Sequence, residues 1–574
     1  MSLISFELSW PPVQRLKRPP VSLLRARFLI VATSLLLFVP FLGSVRLFDW
    51  DEINFAESAR EMLVTGHYLH MQIDYRPFFE KPPAFIWLQV CSMKIFGVNE
   101  FAARLPNALI GAVTMLVIFS IGTGLKDRRF GVFWCIAYAG SLLPHFYFRS
   151  GIIDPLFNLF IFLGVWAMMK ATWKGALWAG FWAGMAVMTK GPVGYGLVMI
   201  TTGIAWIVLR KDTRFPMRTI VIATCVAIMI PMLWIGMDYL QNGPTFIREN
   251  IAYQIRLLTT GDAGHEQPWY YHSVVVLIGC YPASIFFFGG LRKNDEETQQ
   301  QRAMRVWMIV LFFVVLVVFS IVKTKIIHYS SMTYLPLTYL AAVGIQRWVI
   351  SGRSWTWLRT SLLFVLAVPI TTAVVVIPWA FMQKEWLLSL PTFRDVYLRA
   401  ALQQNITWIG IEPWVGIVLL LGLCAAWYLQ RNGYRSASIF TLFGSVIVFV
   451  CLFLPLVAPR IEPYTQGAAL NFYESLRGKD VYVKPLTMKS YAHLFYTNKP
   501  LHLTSVSKNI AADDWEPWLL NGSVDRPAYF VAKVSDATPW RNHPNLQLVR
   551  EEGGFVIFQR RVISLVPVAP LRSH

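Results

Sequence analysis

Apolar runs close to twenty residues long recur along most of this chain, and they decide what it can fold into. A helix needs roughly 20 apolar residues to cross a hydrocarbon core. Candidate crossings lie at 26–46, 103–123, 130–148, 152–170, 175–190, 193–209, 217–238, 271–291, 304–322, 330–349, 359–381, 409–429 and 437–458. Gly191-Pro192 separates the two shortest. With 55% hydrophobic and only 15% charged residues among 574, the chain reads as an α-helical polytopic membrane protein with about thirteen transmembrane helices.

The loops test that count. With the N-terminus cytoplasmic, every second loop is cytoplasmic. Those loops carry Lys126, Arg128 and Arg129; Lys170 and Lys174; Arg210, Lys211, Arg214 and Arg218; Arg292, Lys293, Arg302 and Arg305; Arg347, Arg353 and Arg359; and Arg431 and Arg435. All are basic, as the positive-inside bias requires. The net charge of +20 is therefore a topology signal. No basic stretch with interleaved aromatics forms a nucleic-acid surface. Arg15, Lys17, Arg18, Arg25 and Arg27 precede the first run, which continues as "VPFLGSVRLF" without a small-residue cleavage site. It reads as an uncleaved first span. Five of the six cysteines lie in apolar runs and Cys91 in a half-apolar stretch, none at metal-ligand spacing. They read as small apolar packers.

An odd number of crossings puts the tail outside, which in a Gram-negative cell is the periplasm. Residues 1–458 form the transmembrane part, with a first outer loop at 47–102. Residues 459–574 differ in kind. Strand-like "DVYVKPL" and "AYFVAKV" alternate with helical "MKSYAHLFY", which predicts a small C-terminal α/β periplasmic domain.

The polar residues of interest gather on the outer side of this topology. Asp51 and Glu52 follow the first span, and Ile53, Ala56, Ala59 and Leu63 recur near a 3.6 spacing, which predicts an in-plane amphipathic helix. A second helix is expected within "KPPAFIWLQVCSMKIFG", since proline is tolerated in a first turn. Each residue has a plain structural reading. Asp51 suits a helix N-cap, Lys81 an interfacial lysine with its head in water, Glu80 a partner for Lys81, and Asp154 a cap before Pro155. His265 in "GDAGHEQPWYYH" fits a surface histidine. Against those readings stands accumulation. Lys190, Lys325, His328 and Tyr329 fall on the same side, and an ionisable group beside apolar sequence is a functional hypothesis by default.

Acids and bases at one membrane face suit a reaction on a lipid-linked anion. A polyprenyl-phosphate sugar sets its anomeric carbon beside a phosphate at that level. The leaving phosphate needs cationic and hydrogen-bonding partners, which Lys81 and Tyr329 supply. The incoming hydroxyl must lose a proton, so a carboxylate serves as general base. No nucleotide-binding loop is present. A transporter or flippase of lipid-linked sugars is the alternative. It would show internal repeats with broken helices meeting near the midplane, and no repeat is visible. A structural scaffold would leave Asp51, Lys81 and Asp154 without a role.

The stretches "DWDEINFAESAREMLVTGHYL", "RPFFEKPPAFIWLQ" and "FGVNEFAARLPNAL", followed in order by "IIDPLFNLF", "VMTKGPVGYG", "GHEQPWYY" and "KTKIIHY", resemble the protein O-mannosyltransferase superfamily. The nearest branch is the bacterial lipid A aminoarabinose transferases and related lipid-carrier-dependent glycosyltransferases. The resemblance covers about 28–340. It implies a GT-C membrane fold and an inverting glycosyltransferase that moves a sugar from a polyprenyl phosphate to a lipid A, surface-glycan or protein acceptor. By motif, Asp51 is the catalytic carboxylate, Glu52 assists, and Asp154 is a second acid near the site. Lys81 and Tyr329 are donor-phosphate contacts, joined by His328 and Lys325. Glu80 and His265 match positions at which the aminoarabinose enzymes can hold a metal such as zinc. Two ligands fall short of a tetrahedral set, so no cofactor is required. A monomer is expected. One departure is Asn54, where those enzymes usually carry arginine.

Overall fold

The computed structural model describes residues 22–49, 51–211, 216–259, 266–391 and 394–561. It is mostly helical, and each of the thirteen apolar runs is helical in whole or in part. Six helices among the described residues are long and apolar enough to cross a membrane: Glu100–Leu125, Met217–Asn242, Gln299–Ile321, Trp357–Met382, Glu412–Arg431 and Arg435–Leu456. A seventh crossing is available if Tyr271–Gly279 and Ala283–Leu291, bent by 107°, act together. The bend falls at Pro282, which has no N–H to continue the helical ladder. Other expected crossings are shorter helices, including Asp154–Met168 and Val193–Leu209. Their ends are set by local chemistry. Pro155 opens the first of these helices, and Gly191 at φ +91° ends the helix before the second.

The segment between Leu23–Phe38 and Glu100–Leu125 holds the helix Asp51–Thr65, a two-residue antiparallel pair at 72–73 and 76–77, and the helix Ala84–Phe96. Asp74 and Tyr75, both at φ +57°, make the tight turn of that pair. The second helix begins just after Pro82-Pro83, as expected. The first differs from the in-plane amphipathic reading, because every residue from Glu52 to Met62 is buried. An interfacial helix leaves one face to water. Here the far end of the chain covers that face.

That far end carries a four-stranded sheet in the order 482–485, 528–533, 555–560, 546–552. The first pair is parallel and the others antiparallel. Gly553 and Gly554, at φ +57° and +84°, turn the last hairpin where L side chains would be strained. Helices 492–497 and 515–521 flank the sheet, and Tyr482, Trp515, Leu519, Phe530, Val556 and Phe558 form its core.

This sheet-bearing part grips the helix Asp51–Thr65. Arg46 pairs with Glu474 at 2.9 Å, and the Tyr496 hydroxyl accepts from the Leu47 N–H at 2.8 Å. Arg60 donates to the Lys499 carbonyl at 3.1 Å, and the Tyr75 hydroxyl to the same oxygen at 2.8 Å. Lys499 Nζ meets Asp74 at 2.6 Å.

Candidate active site

Asp51 begins its helix at the wall of a cavity of about 510 Å³. Its side chain is 33% exposed, and Oδ2 lies 2.8 Å from His328 Nε2. His328 belongs to the 3-10 turn Ile327–Thr333, which leads into the helix Tyr334–Ser351. Burial pushes the Asp51 carboxyl up, but the hydrogen bond and charge of His328, with Lys81 and Lys190 behind it, outweigh that and hold it at about 2. The group is a carboxylate throughout the physiological range.

Glu52, the next residue, is 3% exposed. Arg104 forks onto it, Nη2 to Oε2 at 2.7 Å and Nε to Oε1 at 3.0 Å, a bidentate charge-assisted pair. The N–H groups of Phe48 and Gly151 donate to the same carboxylate. Glu52 thus holds the start of its own helix to the helix Glu100–Leu125.

Lys81 donates to the Tyr253 hydroxyl at 3.0 Å and lies over that ring at 4.6 Å. Tyr329 lines the cavity, and Lys190 Nζ sits 4.9 Å from its ring centre. Lys190 also pairs with Asp154 at 2.6 Å. Asp154 is 1% exposed. It forms a layer behind Tyr329, and Ser331 reaches the same oxygen at 3.5 Å. Lys325 and Glu80 line the cavity directly. The structure thereby brings Asp51, Glu52, His328, Tyr329, Lys325 and Glu80 to one space, with Lys81 beside it, and leaves Asp154 outside its lining.

His265 lies outside the described residues. Among those described, no three His, Cys, Asp or Glu side chains gather as a metal site would require. Glu80 alone is not a donor set.

Several residues were not anticipated. Tyr253 sits on the helix Thr245–Thr259, whose sequence shows no motif. Arg104 was unmarked within an apolar run. Lys489 and Tyr491 reach the cavity from the C-terminal part. No local signal pairs them with Asp51, more than 400 residues earlier.

A family model described as dolichyl-phosphate-mannose-protein mannosyltransferase matches residues 80–235. The undecaprenyl phosphate-alpha-4-amino-4-deoxy-L-arabinose arabinosyl transferase 2 of Pseudomonas fluorescens is 27% identical over 255 residues, covering 42% of this chain and 46% of that protein. The match thus spans a little under half of that relative's length. The corresponding transferase of Pectobacterium carotovorum is 26% identical over 337 residues, 56% of this chain and 59% of that one. In fold, the crystal structure of ArnT from Cupriavidus metallidurans bound to undecaprenyl phosphate superposes with a TM-score of 0.70 at 18% identity. The superposition covers 94% of this chain and 99% of that one. The apo form gives 0.71. The resemblance carried by the motifs holds: the chain is similar to the lipid-carrier-dependent glycosyltransferases of the protein O-mannosyltransferase superfamily, in sequence over part of its length and in fold over nearly all of it.

Proposed function

We propose that this protein is an inverting glycosyltransferase that moves a sugar from a polyprenyl phosphate to an acceptor hydroxyl at the periplasmic face of a bacterial inner membrane. On this reading the chain crosses the membrane thirteen times, counting the shorter helices, and residues 459–574 form a periplasmic domain. The observation that carries the reading is the ionised Asp51 carboxylate on the wall of a cavity that also presents Lys325 and Tyr329, with Lys81 alongside. Undecaprenyl phosphate in the similar ArnT structure supports a donor of that class.

In the reaction the acceptor oxygen bonds to the anomeric carbon as the bond from that carbon to the phosphate oxygen breaks. The electron pair leaves with the polyprenyl phosphate, which needs no proton. The acceptor proton passes to Asp51. A carboxylate held near 2 is a weak base toward an alcohol at rest. The hydroxyl becomes acidic as its bond to the electron-poor anomeric carbon forms, and the proton moves then. His328 orients the carboxylate. Lys81, Lys325 and Tyr329 stabilise the phosphate as charge develops on it. Asp154 and Lys190 support Tyr329 from behind, and Glu52 with Arg104 fixes the backbone at Asp51. Lipid A, another surface glycan and a protein remain the acceptor classes.

The test is a membrane assay with a labelled undecaprenyl-phosphate sugar. Transfer by the wild type, lost in Asp51→Asn, supports the reading. Undiminished transfer in that variant overturns the general base. Label that crosses vesicles without being transferred assigns a flippase instead.

A further inference from the structure

The strand 482–485 ends in the sheet with the Leu486 N–H donating to the Val531 carbonyl at 2.8 Å. The chain then turns at Thr487, at φ +61°, and runs through Lys489 to Tyr491 along the cavity. It enters the helix Ala492–Thr497, whose Tyr496 hydroxyl is bonded to the Leu47 N–H at 2.8 Å. Two residues further on, Lys499 is bridged to Asp74. The segment 487–491 is therefore a short strap pinned on both sides. It adds to the reaction cavity a cation and a phenol that the helical bundle does not supply. Burial raises the Tyr491 hydroxyl above its ordinary value, and the charges of Glu80, Asp74 and Asp49 add to that, so it stays a hydrogen-bond donor.

We propose, resting on the glycosyl-transfer reading above, that this strap is the acceptor-binding wall, and that Lys489 and Tyr491 are specificity-determining residues that contact the acceptor and not the donor. The helices and the first outer loop already offer Lys81, Lys325 and Tyr329 to the donor phosphate. A lipid-borne donor is tethered through its tail to the bundle side. The acceptor must still present a hydroxyl to Asp51, and the strap is the wall of the cavity built by the other part of the chain. Lys489 and the Tyr491 hydroxyl suit an acceptor with an anionic or oxygen-rich group next to the reacting hydroxyl, such as a phosphorylated glycolipid.

The experiment uses the full-length protein in detergent with an undecaprenyl-phosphate sugar as donor and purified bisphosphorylated lipid A as the acceptor probe. Lys489→Met and Tyr491→Phe are compared with wild type for acceptor KM, donor KM, and equilibrium binding of undecaprenyl phosphate by tryptophan fluorescence. The acceptor KM is expected to rise about tenfold in Lys489→Met and about threefold in Tyr491→Phe, the scale of one lost charged or neutral hydrogen bond. Donor KM and undecaprenyl-phosphate affinity should stay within about twofold, which also shows that the variants fold. A fall in donor affinity with unchanged acceptor KM overturns the assignment, and so does no change in either. If wild type cleaves the donor slowly to water but does not use lipid A, the glycosyl-transfer reading stands and the phosphorylated-glycolipid assignment fails. If wild type neither transfers nor cleaves the donor, the underlying reading fails and the strap assignment falls with it.

Discussion

The helix Asp51–Thr65 carries two charge clusters of opposite character. At its first residue, Asp51 is about one-third exposed to a cavity and meets one histidine. Two turns on, Arg60 is 1% exposed and donates to both oxygens of Glu57, at 2.8 and 2.6 Å. Glu61 lies at 3.8 Å from it, and Tyr75 and Lys499 close the cluster. The residue types at the two ends are alike, and their surroundings differ. An acid with space in front of it and a single oriented partner can exchange a proton with a visitor. An acid such as Glu57, whose two oxygens are both taken by one buried guanidinium, can only help to hold the fold together. Glu52, one residue from Asp51, combines the two: it lines the cavity, yet Arg104 takes both of its oxygens.

Breaking the open cluster should abolish chemistry and spare the fold. Asp51→Asn is expected to lower transfer by about 10²–10⁴-fold, the usual worth of a general base, with an unchanged melting temperature in detergent. Breaking the closed cluster should do the reverse. Arg60→Met leaves Glu57 buried without its partner and is expected to cost about 3–5 kcal/mol, read as a lowered thermal midpoint and protease sensitivity at the 498–499 junction. Lys81→Met should reduce kcat/KM for the donor by about 10²–10³-fold with acceptor KM little changed. Equal loss on both substrates would move Lys81 out of the phosphate set.

Two pH experiments sharpen the contrast. Asp51 is ionised above about 2, so wild-type activity should not show an acid limb from this group near pH 4. His328→Ala removes the hydrogen bond and charge that lower its pKa. The acid limb is then expected to move up toward the ordinary aspartate range, with activity lost as pH falls through it. Glu61 moves the other way. Burial, then the charge of Glu57, push its carboxyl well above the usual range. A group raised in the folded state favours folding below its unfolded value, and that contribution is lost as pH rises toward the folded value. Glu61→Gln should therefore change the melting temperature little at acidic pH and flatten its decline at higher pH.

Much of the open cluster was legible because its members sit at the ends of apolar runs or in the loop 47–102 between two of them, all expected on one side of the membrane. Asp51, Glu80, Lys325, His328 and Tyr329 all follow from that rule, and the motifs in order point to the same residues. What the rule misses is depth. Asp154 is kept out of the cavity lining and paired with Lys190, and Glu52, although it reaches the cavity, is held by Arg104; pairing partners across helices leave no mark on local periodicity. The helix Asp51–Thr65 has an amphipathic pattern, yet its polar face is covered, because the partner for that face is written at 474–499. Crossing lengths also differ from a hydropathy reading, since prolines and capping residues cut a continuous apolar run into helix, bend and helix, as at Pro282.

The grip of Tyr496 and Lys499 on Leu47, Arg60, Asp74 and Tyr75 has a consequence for the order in which this protein is made. The halves of that junction are separated by more than 400 residues of translation. Until the ribosome has delivered the later half, Arg60 and Tyr75 lack the Lys499 carbonyl to which both donate, and the phenol and ammonium of the strap have not arrived. The nascent chain can thread its helices into the bilayer one by one while the reaction chamber stays unassembled. Docking of the later half therefore completes the chamber last, after the segments that carry Asp51, His328 and Tyr329 have been made.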